Sequence, residues 1–143
     1  MIGIAQFGIA IAALGVVLAL MGLFPGVTGV TPTAGVGIIQ FLSILVGFAL
    51  LDLGALMYVK FTFYVGRSAN LLQQVGVRLA LTGLVLAGLA GMADFLGFGS
   101  HARTATSDVY FGPLQALGLL GGLVISALGV LIYAVTGSPP DEN

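Results

Sequence analysis

Four long apolar segments constrain this chain more than any other feature. They cover residues 2–24, 34–58, 71–96 and 110–135, and a more polar stretch extends the second to residue 64. Each reaches the roughly 20 residues that an α-helix needs to cross the hydrocarbon core of a bilayer. None alternates apolar and polar residues, as membrane-spanning strands do. The sequence therefore predicts an all-α membrane protein, a bundle of four transmembrane helices.

The composition excludes several other classes of protein. Only 6% of the residues are charged and 59% are hydrophobic, whereas soluble domains carry about 25% charged residues. A soluble enzyme, a nucleic-acid-binding protein and a disordered chain are therefore excluded. The chain has no cysteine and a single histidine, so we expect no disulfide, no thiolate metal site and no bis-histidine haem.

Prolines and polar residues mark the predicted helix ends. Pro25-Gly26 ends the first segment, because proline lacks the amide hydrogen that continues a helix. The first segment is too long for a typical signal peptide and lacks a basic leader. The predicted caps are Thr31 with Pro32 for the second helix, a capping box of Asn70 with Gln73 for the third, and Ser107 or Asp108 for the fourth.

Basic residues predict the orientation in the membrane. Lys60, Arg67 and Arg78 flank the junction between the second and third segments, and Arg103 lies between the third and fourth. The positive-inside rule places the more basic junction in the cytoplasm. We therefore expect an integral protein of a prokaryotic plasma membrane with both termini in the cytoplasm.

The two halves of the chain resemble each other. Residues 6–19 match residues 74–87 at seven of fourteen positions, and 40–58 match 115–133 at eight of nineteen. Chance identity is roughly one in nine for so narrow a composition. The sequence predicts a parallel repeat of two helical hairpins, 1–66 and 67–136, in a single domain over 1–143 with a polar tail at 137–143. The alternative is a shared bias toward small residues.

Small residues recur at heptad spacing along the segments. Such residues let helix backbones approach closely in lipid, and a 3.5-residue period predicts left-handed packing near +20°. We expect the first and third helices to form the centre, although a conduit between helices is an alternative. The predicted packing glycines are Gly8, Gly15, Gly22, Gly76, Gly83, Gly118 and Gly122.

Asp52 and Arg78 are charged residues inside the second and third segments, at similar predicted depth. A membrane-embedded charge is costly, and pairing relieves that cost. The sequence predicts a structural ion pair between them. Two alternatives stay open: Asp52 carries a proton or ion and Arg78 tunes it, or both side chains reach out to water and head groups.

Other polar residues suggest contacts rather than chemistry. Four glutamines recur through the repeat, and we expect them to hydrogen-bond between helices, with substrate contact as the alternative. On the outer side, we expect a wetted loop with Asp94, and weigh a metal or proton relay there as the alternative. The candidate partner-docking residues of that loop are His101, Arg103 and Asp108, and the glutamines are Gln6, Gln40, Gln74 and Gln115.

The favoured function is a non-catalytic accessory or scaffold subunit that packs within a larger membrane protein complex. The alternative is a small oligomeric transporter, or an ion- or proton-translocating protein, that uses Asp52 with Arg78. We expect no catalytic residue, metal or cofactor; lipid contacts are expected, and pigment or quinone binding stays open. The expected partners are the bilayer and unlike membrane subunits, with a homo-oligomer as the alternative and no nucleic acid.

Two known families share parts of this pattern. A duplicated hairpin with glycine-rich first helices and a carboxylate in one second helix resembles the proteolipids of rotor rings. Residues 27–32 lack the Arg-Gln-Pro loop of that family, however. Small multidrug transporters also have four helices but carry a glutamate in the first, where this chain has no charge. The sequence is therefore assigned to neither family.

Overall fold

Four α-helices and one short 3-10 turn make up the part of the chain that the structure describes. The computed structural model describes residues 2–29, 37–93 and 112–137. All four helices are long and apolar enough to cross a membrane, which confirms the predicted all-helical class. The elements are α1 (Ile2–Leu23), a short 3-10 turn (Pro25–Thr28), α2 (Ile38–Phe63), α3 (Leu71–Gly91) and α4 (Pro113–Val135).

The start of α3 follows the predicted capping box. Asn70 Oδ1 accepts a hydrogen bond of 2.8 Å from the backbone N–H of Gln73, and Gln73 Oε1 accepts one of 3.2 Å from the N–H of Asn70. Two orphan amides of the first turn are thereby satisfied. The capping box is confirmed.

The starts of α2 and α4 differ from the prediction. The N–H of Gly37 donates to Gln40 Oε1 at 2.8 Å, and that of Gly112 donates to Gln115 Oε1 at 2.7 Å. These two glutamines therefore cap their own helices instead of bridging to another. The predicted caps, Thr31 with Pro32 and Ser107 or Asp108, lie outside the described residues.

The described helices pack in two pairs. α1 packs along α2, and we call this pair the first hairpin; α3 packs along α4, and we call this pair the second hairpin. α2 joins the two pairs through contacts with both α3 and α4. The small residues of α1 and α3 therefore face α2 and α4, and not each other as the sequence predicted. The reason is that α2 and α4 also contain glycines. The glycines of α2 pack against the small residues of α1, and those of α4 pack against the small residues of α3.

In the first hairpin the backbones touch at glycines. A Cβ atom on Gly15 would lie 2.5 Å from the carbonyl oxygen of Gly47, and one on Gly54 would lie 2.5 Å from that of Gly8. A Cβ atom on Gly22 would also be too close to the backbone of α2, at 2.8 Å from the carbonyl oxygen of Gln40. No larger residue fits these positions unless α1 and α2 move apart.

The second hairpin has the same kind of contact. A Cβ atom on Gly83 would lie 2.5 Å from the carbonyl oxygen of Gly122, and one on Gly129 would lie 2.5 Å from that of Gly76. A Cβ atom on Gly118 would approach the Cβ of Ala90 to 2.7 Å. α3 and α4 are therefore in backbone contact over several turns.

A small apolar core joins the hairpins near the start of α2. Phe41 has no exposed surface, and its ring occupies the space that a side chain on Gly91 would need. Ala87 is also fully buried, and the cluster is completed by Ile44 from α2 and by Leu119 and Leu123 from α4. This core holds one end of the molecule together and leaves the middle of the helices for polar contacts.

Candidate functional site at the junction of the hairpins

Asp52 lies near the middle of α2 and is buried, with 6% of its surface exposed. At 1.5 Å rise per residue it is about 21 Å from the start of α2 and about 16 Å from its end. Ser126 lies about 14 Å from the end of α4 by the same measure. Both residues therefore lie near the middle of helices that are long enough to cross a hydrocarbon core about 30 Å thick.

A hydroxyl group links three helices at this depth. Ser126 Oγ makes a hydrogen bond to Asp52 Oδ2, and it also lies 2.8 Å from the carbonyl oxygen of Ala80. Ser126 has no exposed surface. We call this group of Asp52, Ser126 and the Ala80 carbonyl the Asp52 junction. It connects the first hairpin to both helices of the second.

The glycine contacts of the second hairpin build this junction. Gly83 lies against the backbone of Ser126, and Gly129 lies against the backbone of Ala80. This close approach of α3 and α4 brings a short serine side chain within reach of a backbone carbonyl on the neighbouring helix. A longer separation would leave both groups buried without each other, which is costly in an apolar medium.

The structure gives Asp52 a different partner from the one predicted. Arg78 is exposed, and its backbone oxygen accepts a hydrogen bond of 2.8 Å from Thr82 Oγ1. At 100° per residue Arg78 is about 200° around α3 from Ala80, which faces α4. The predicted Asp52–Arg78 ion pair is therefore replaced by a carboxyl–hydroxyl contact, because Arg78 points away from the junction.

No known protein family, curated protein or solved structure matches this chain. The assignment of the site therefore rests on its geometry.

Sequence reasoning missed Ser126 and Ala80 as polar partners. Ser126 was visible as one of the small residues at regular spacing in α4, following Gly118 and Gly122. The repeat aligns Asp52 with Ala127, the next residue along. The hydroxyl group of Ser126 therefore lies next to the repeat position that corresponds to Asp52. That proximity was the signal from which Ser126 could have been identified as a partner of Asp52.

A second polar cluster closes the end of α4. Tyr64 Oη donates to the carbonyl oxygen of Ala134 at 2.6 Å, and Asn70 Nδ2 donates to that of Thr136 at 2.6 Å. Gln73 Nε2 donates to the carbonyl oxygen of Tyr133 at 3.3 Å. These donors satisfy carbonyls that the last turn of a helix leaves without partners. The glutamine that bridges helices here is Gln73, whereas the predicted Gln6 and Gln74 are exposed.

Removing the Tyr64 hydroxyl should weaken this cluster moderately. Tyr64→Phe deletes one hydrogen bond, for an expected loss of about 0.5–1.5 kcal/mol in the free energy of unfolding. The edge-to-face contact of the ring with Tyr133, at 6.2 Å between centroids, is retained. Titration of the protein with SDS in bicelles measures the change. Tyr58→Phe is the matched control, and an equal effect of both variants would contradict the assignment.

Four predicted polar residues lie outside the described part of the chain: Asp94, His101, Arg103 and Asp108. The role of His101, Arg103 and Asp108 in docking a partner stays a prediction from the sequence, as does the wetted loop that includes Asp94.

Proposed function

We propose that this chain is a non-catalytic accessory or scaffold subunit that packs within a larger membrane protein complex. The observation that carries the proposal is a groove of about 630 Å³ on the second hairpin, between α3 and α4. Five of its eight lining residues are glycine or alanine, and a small-residue face is what a neighbouring transmembrane helix needs for close approach. The lining residues are Leu86, Leu89, Ala90, Ala93, Gly118, Gly121, Gly122 and Ile125.

Gly121 is the most informative residue of this groove. It is exposed, and a Cβ atom on it would meet nothing within 4 Å. Packing within this chain therefore does not require glycine there, and glycine inside a helix costs about 1 kcal/mol relative to alanine. A helix of another subunit seated against Gly121 would account for the residue.

Large apolar side chains cover the other outer faces of the bundle. Phe7 and Phe63 are each 60% exposed, and Val85 is 59% exposed. Such faces suit lipid tails and the helices of other membrane subunits equally. The proposed partners are therefore the bilayer and unlike subunits, which pack where small residues let backbones meet.

The proposal includes a duplicated architecture. Gly8, Gly15, Gly47 and Gly54 contact each other as their counterparts do in the second hairpin, 68 residues later in the first helix of the pair and 75 later in the second. This agreement of contacts supports two related hairpins in a parallel repeat, and the seven-residue spacing of the glycines supports left-handed packing. The proposed orientation rests on the basic residues instead: Lys60 and Arg67 lie between α2 and α3. The positive-inside rule then places this junction and both termini in the cytoplasm of a prokaryotic plasma membrane, with the junctions after α1 and α3 on the other side.

A second candidate function is translocation of ions or protons. The observation that favours it is the burial of Asp52 at the centre of the spans, since acidic residues at that depth often belong to ion or proton pathways. Ion flux in vesicles should then fall when Asp52 is replaced by asparagine. Native mass spectrometry separates the candidates, because unlike subunits support the scaffold and a homo-oligomer supports transport.

A side chain at Gly121 should block assembly but leave the fold intact. Gly121→Leu is expected to abolish co-purification of unlike subunits from gently extracted membranes, because leucine would fill the groove. The helical content and unfolding free energy of the isolated chain should be unchanged or slightly raised. Native mass spectrometry measures the assembly. Gly3→Leu is the control, since Gly3 in α1 also has open space around it. Retained partners in the Gly121 variant would argue against this docking surface.

A further inference from the structure

We infer that the Asp52 junction is a proton-binding site, in which Asp52 is a neutral carboxylic acid at neutral pH. The inference does not depend on the scaffold role or on transport. It concerns which atom of the junction holds each hydrogen.

The first argument is a count of hydrogens. Ser126 Oγ is in hydrogen-bond contact with two oxygens, Asp52 Oδ2 and the carbonyl oxygen of Ala80. A serine hydroxyl has one hydrogen to donate. A carbonyl oxygen and an ionised carboxylate have none, so two full hydrogen bonds need a second hydrogen. A protonated Asp52 supplies it.

The result is a chain of two hydrogen bonds that connects α2, α4 and α3. The Asp52 carboxyl donates its hydrogen to Ser126 Oγ, and the Ser126 hydroxyl donates its own to the Ala80 carbonyl. Each donor then has an acceptor and each hydrogen serves one bond, as buried polar groups require. An ionised Asp52 would instead compete with Ala80 for the single hydrogen of Ser126.

The second argument is the electrostatic surroundings of Asp52. α1 carries no ionisable side chain, α3 carries Arg78, which is exposed, and α4 carries Tyr133 nearer its end. On α2 itself the nearest titratable groups are Tyr58 and Lys60, more than one helical turn away. No cation of the described helices therefore faces the junction. A carboxylate at this depth without such a partner is strongly disfavoured relative to the neutral acid.

The third argument favours a proton over a metal cation. Magnesium and calcium ions take six or more oxygen ligands. The described groups of the Asp52 junction are the Asp52 carboxyl, the Ser126 hydroxyl and the Ala80 carbonyl. Three such groups suit a hydrogen placed between two oxygens better than a cation that needs a larger set of ligands.

Infrared spectroscopy of the full chain in liposomes tests the inference. The spectrum at neutral pH should contain the carbonyl stretch of a protonated carboxylic acid, and Asp52→Asn should remove that band. Ser126→Ala should shift it to higher frequency, because the acid loses its acceptor. The matched control is Thr82→Val, which removes a hydroxyl from the exposed face of α3 and should leave the band unchanged.

Each alternative outcome overturns the inference. One is a spectrum in which Asp52→Asn removes only carboxylate bands at neutral pH. Another is conversion of the acid band to carboxylate bands on adding sodium chloride at constant pH, which would identify a cation site. Because the readout is the ionisation state of one residue, it is independent of native mass spectrometry and of ion flux. Failure here would leave the scaffold proposal standing.

Discussion

Gly129→Ala is expected to destabilise the second hairpin more than any other single-methyl change in α4. The added Cβ atom would lie 2.5 Å from the carbonyl oxygen of Gly76 and would also meet the backbone of Ala80. Backbone atoms cannot rotate away as side chains can, so α3 and α4 must separate. Such overpacking costs about 1–3 kcal/mol, and we expect the upper end of that range.

SDS titration in bicelles, followed by circular dichroism, measures this loss. Gly54→Ala should behave alike, because its Cβ atom would lie 2.5 Å from the carbonyl oxygen of Gly8. Gly121→Ala is the matched control in α4, where open space and better helix propensity predict a small gain. If Gly129→Ala were as stable as Gly121→Ala, the close backbone contact between α3 and α4 would be refuted.

Ser126→Ala is expected to loosen the joint between the hairpins. It removes the hydroxyl that contacts both Asp52 and Ala80, and it leaves a buried carboxyl without its partner. An unsatisfied buried group costs about 1–3 kcal/mol. The loss should appear as a lower free energy of unfolding in the same SDS titration.

A double-mutant cycle isolates the Asp52–Ser126 contact. Once Asp52 is already alanine, the further change Ser126→Ala should cost much less than in the unaltered chain. We expect a coupling energy of about 1 kcal/mol, above the average of about 0.6 kcal/mol for hydrogen bonds between membrane helices. Thr82→Val paired with Asp52→Ala is the control and should show no coupling. Zero coupling between Asp52 and Ser126 would remove the junction as a stabilising contact.

The features that depend on local sequence could be predicted. The length of each apolar run fixes a membrane span, and four spans occur close to where the sequence placed them. α2 starts four residues later than predicted, α4 starts three later, and α3 ends five residues earlier, at Gly91. The capping box at Asn70 was predictable for the same reason, since its two hydrogen bonds join residues three apart. Hydrogen bonds between residues this close in sequence depend on the local conformation and not on how the helices pack.

The partner of Asp52 could not be predicted from charge alone. The sequence shows that Asp52 and Arg78 lie at similar depth, but depth does not say which way a side chain faces around its helix. That direction is set by the glycine seam of α3, which turns Gly76, Ala80 and Gly83 toward α4. Arg78 consequently lies on the outer face. The polar partner of Asp52 is instead Ser126, which the sequence grouped with the small packing residues of α4.

The distance along the chain between Asp52 and Ser126 has a consequence for biogenesis. The two residues are 74 positions apart, so α2 is synthesised before α4. Until α4 is present, the carboxyl group of Asp52 in the nascent chain lacks the serine that it contacts in the finished fold, although α1 and α2 can already pack along their glycines. A chain truncated before α4 therefore carries an acidic residue in a membrane span without its hydrogen-bond partner, which is costly.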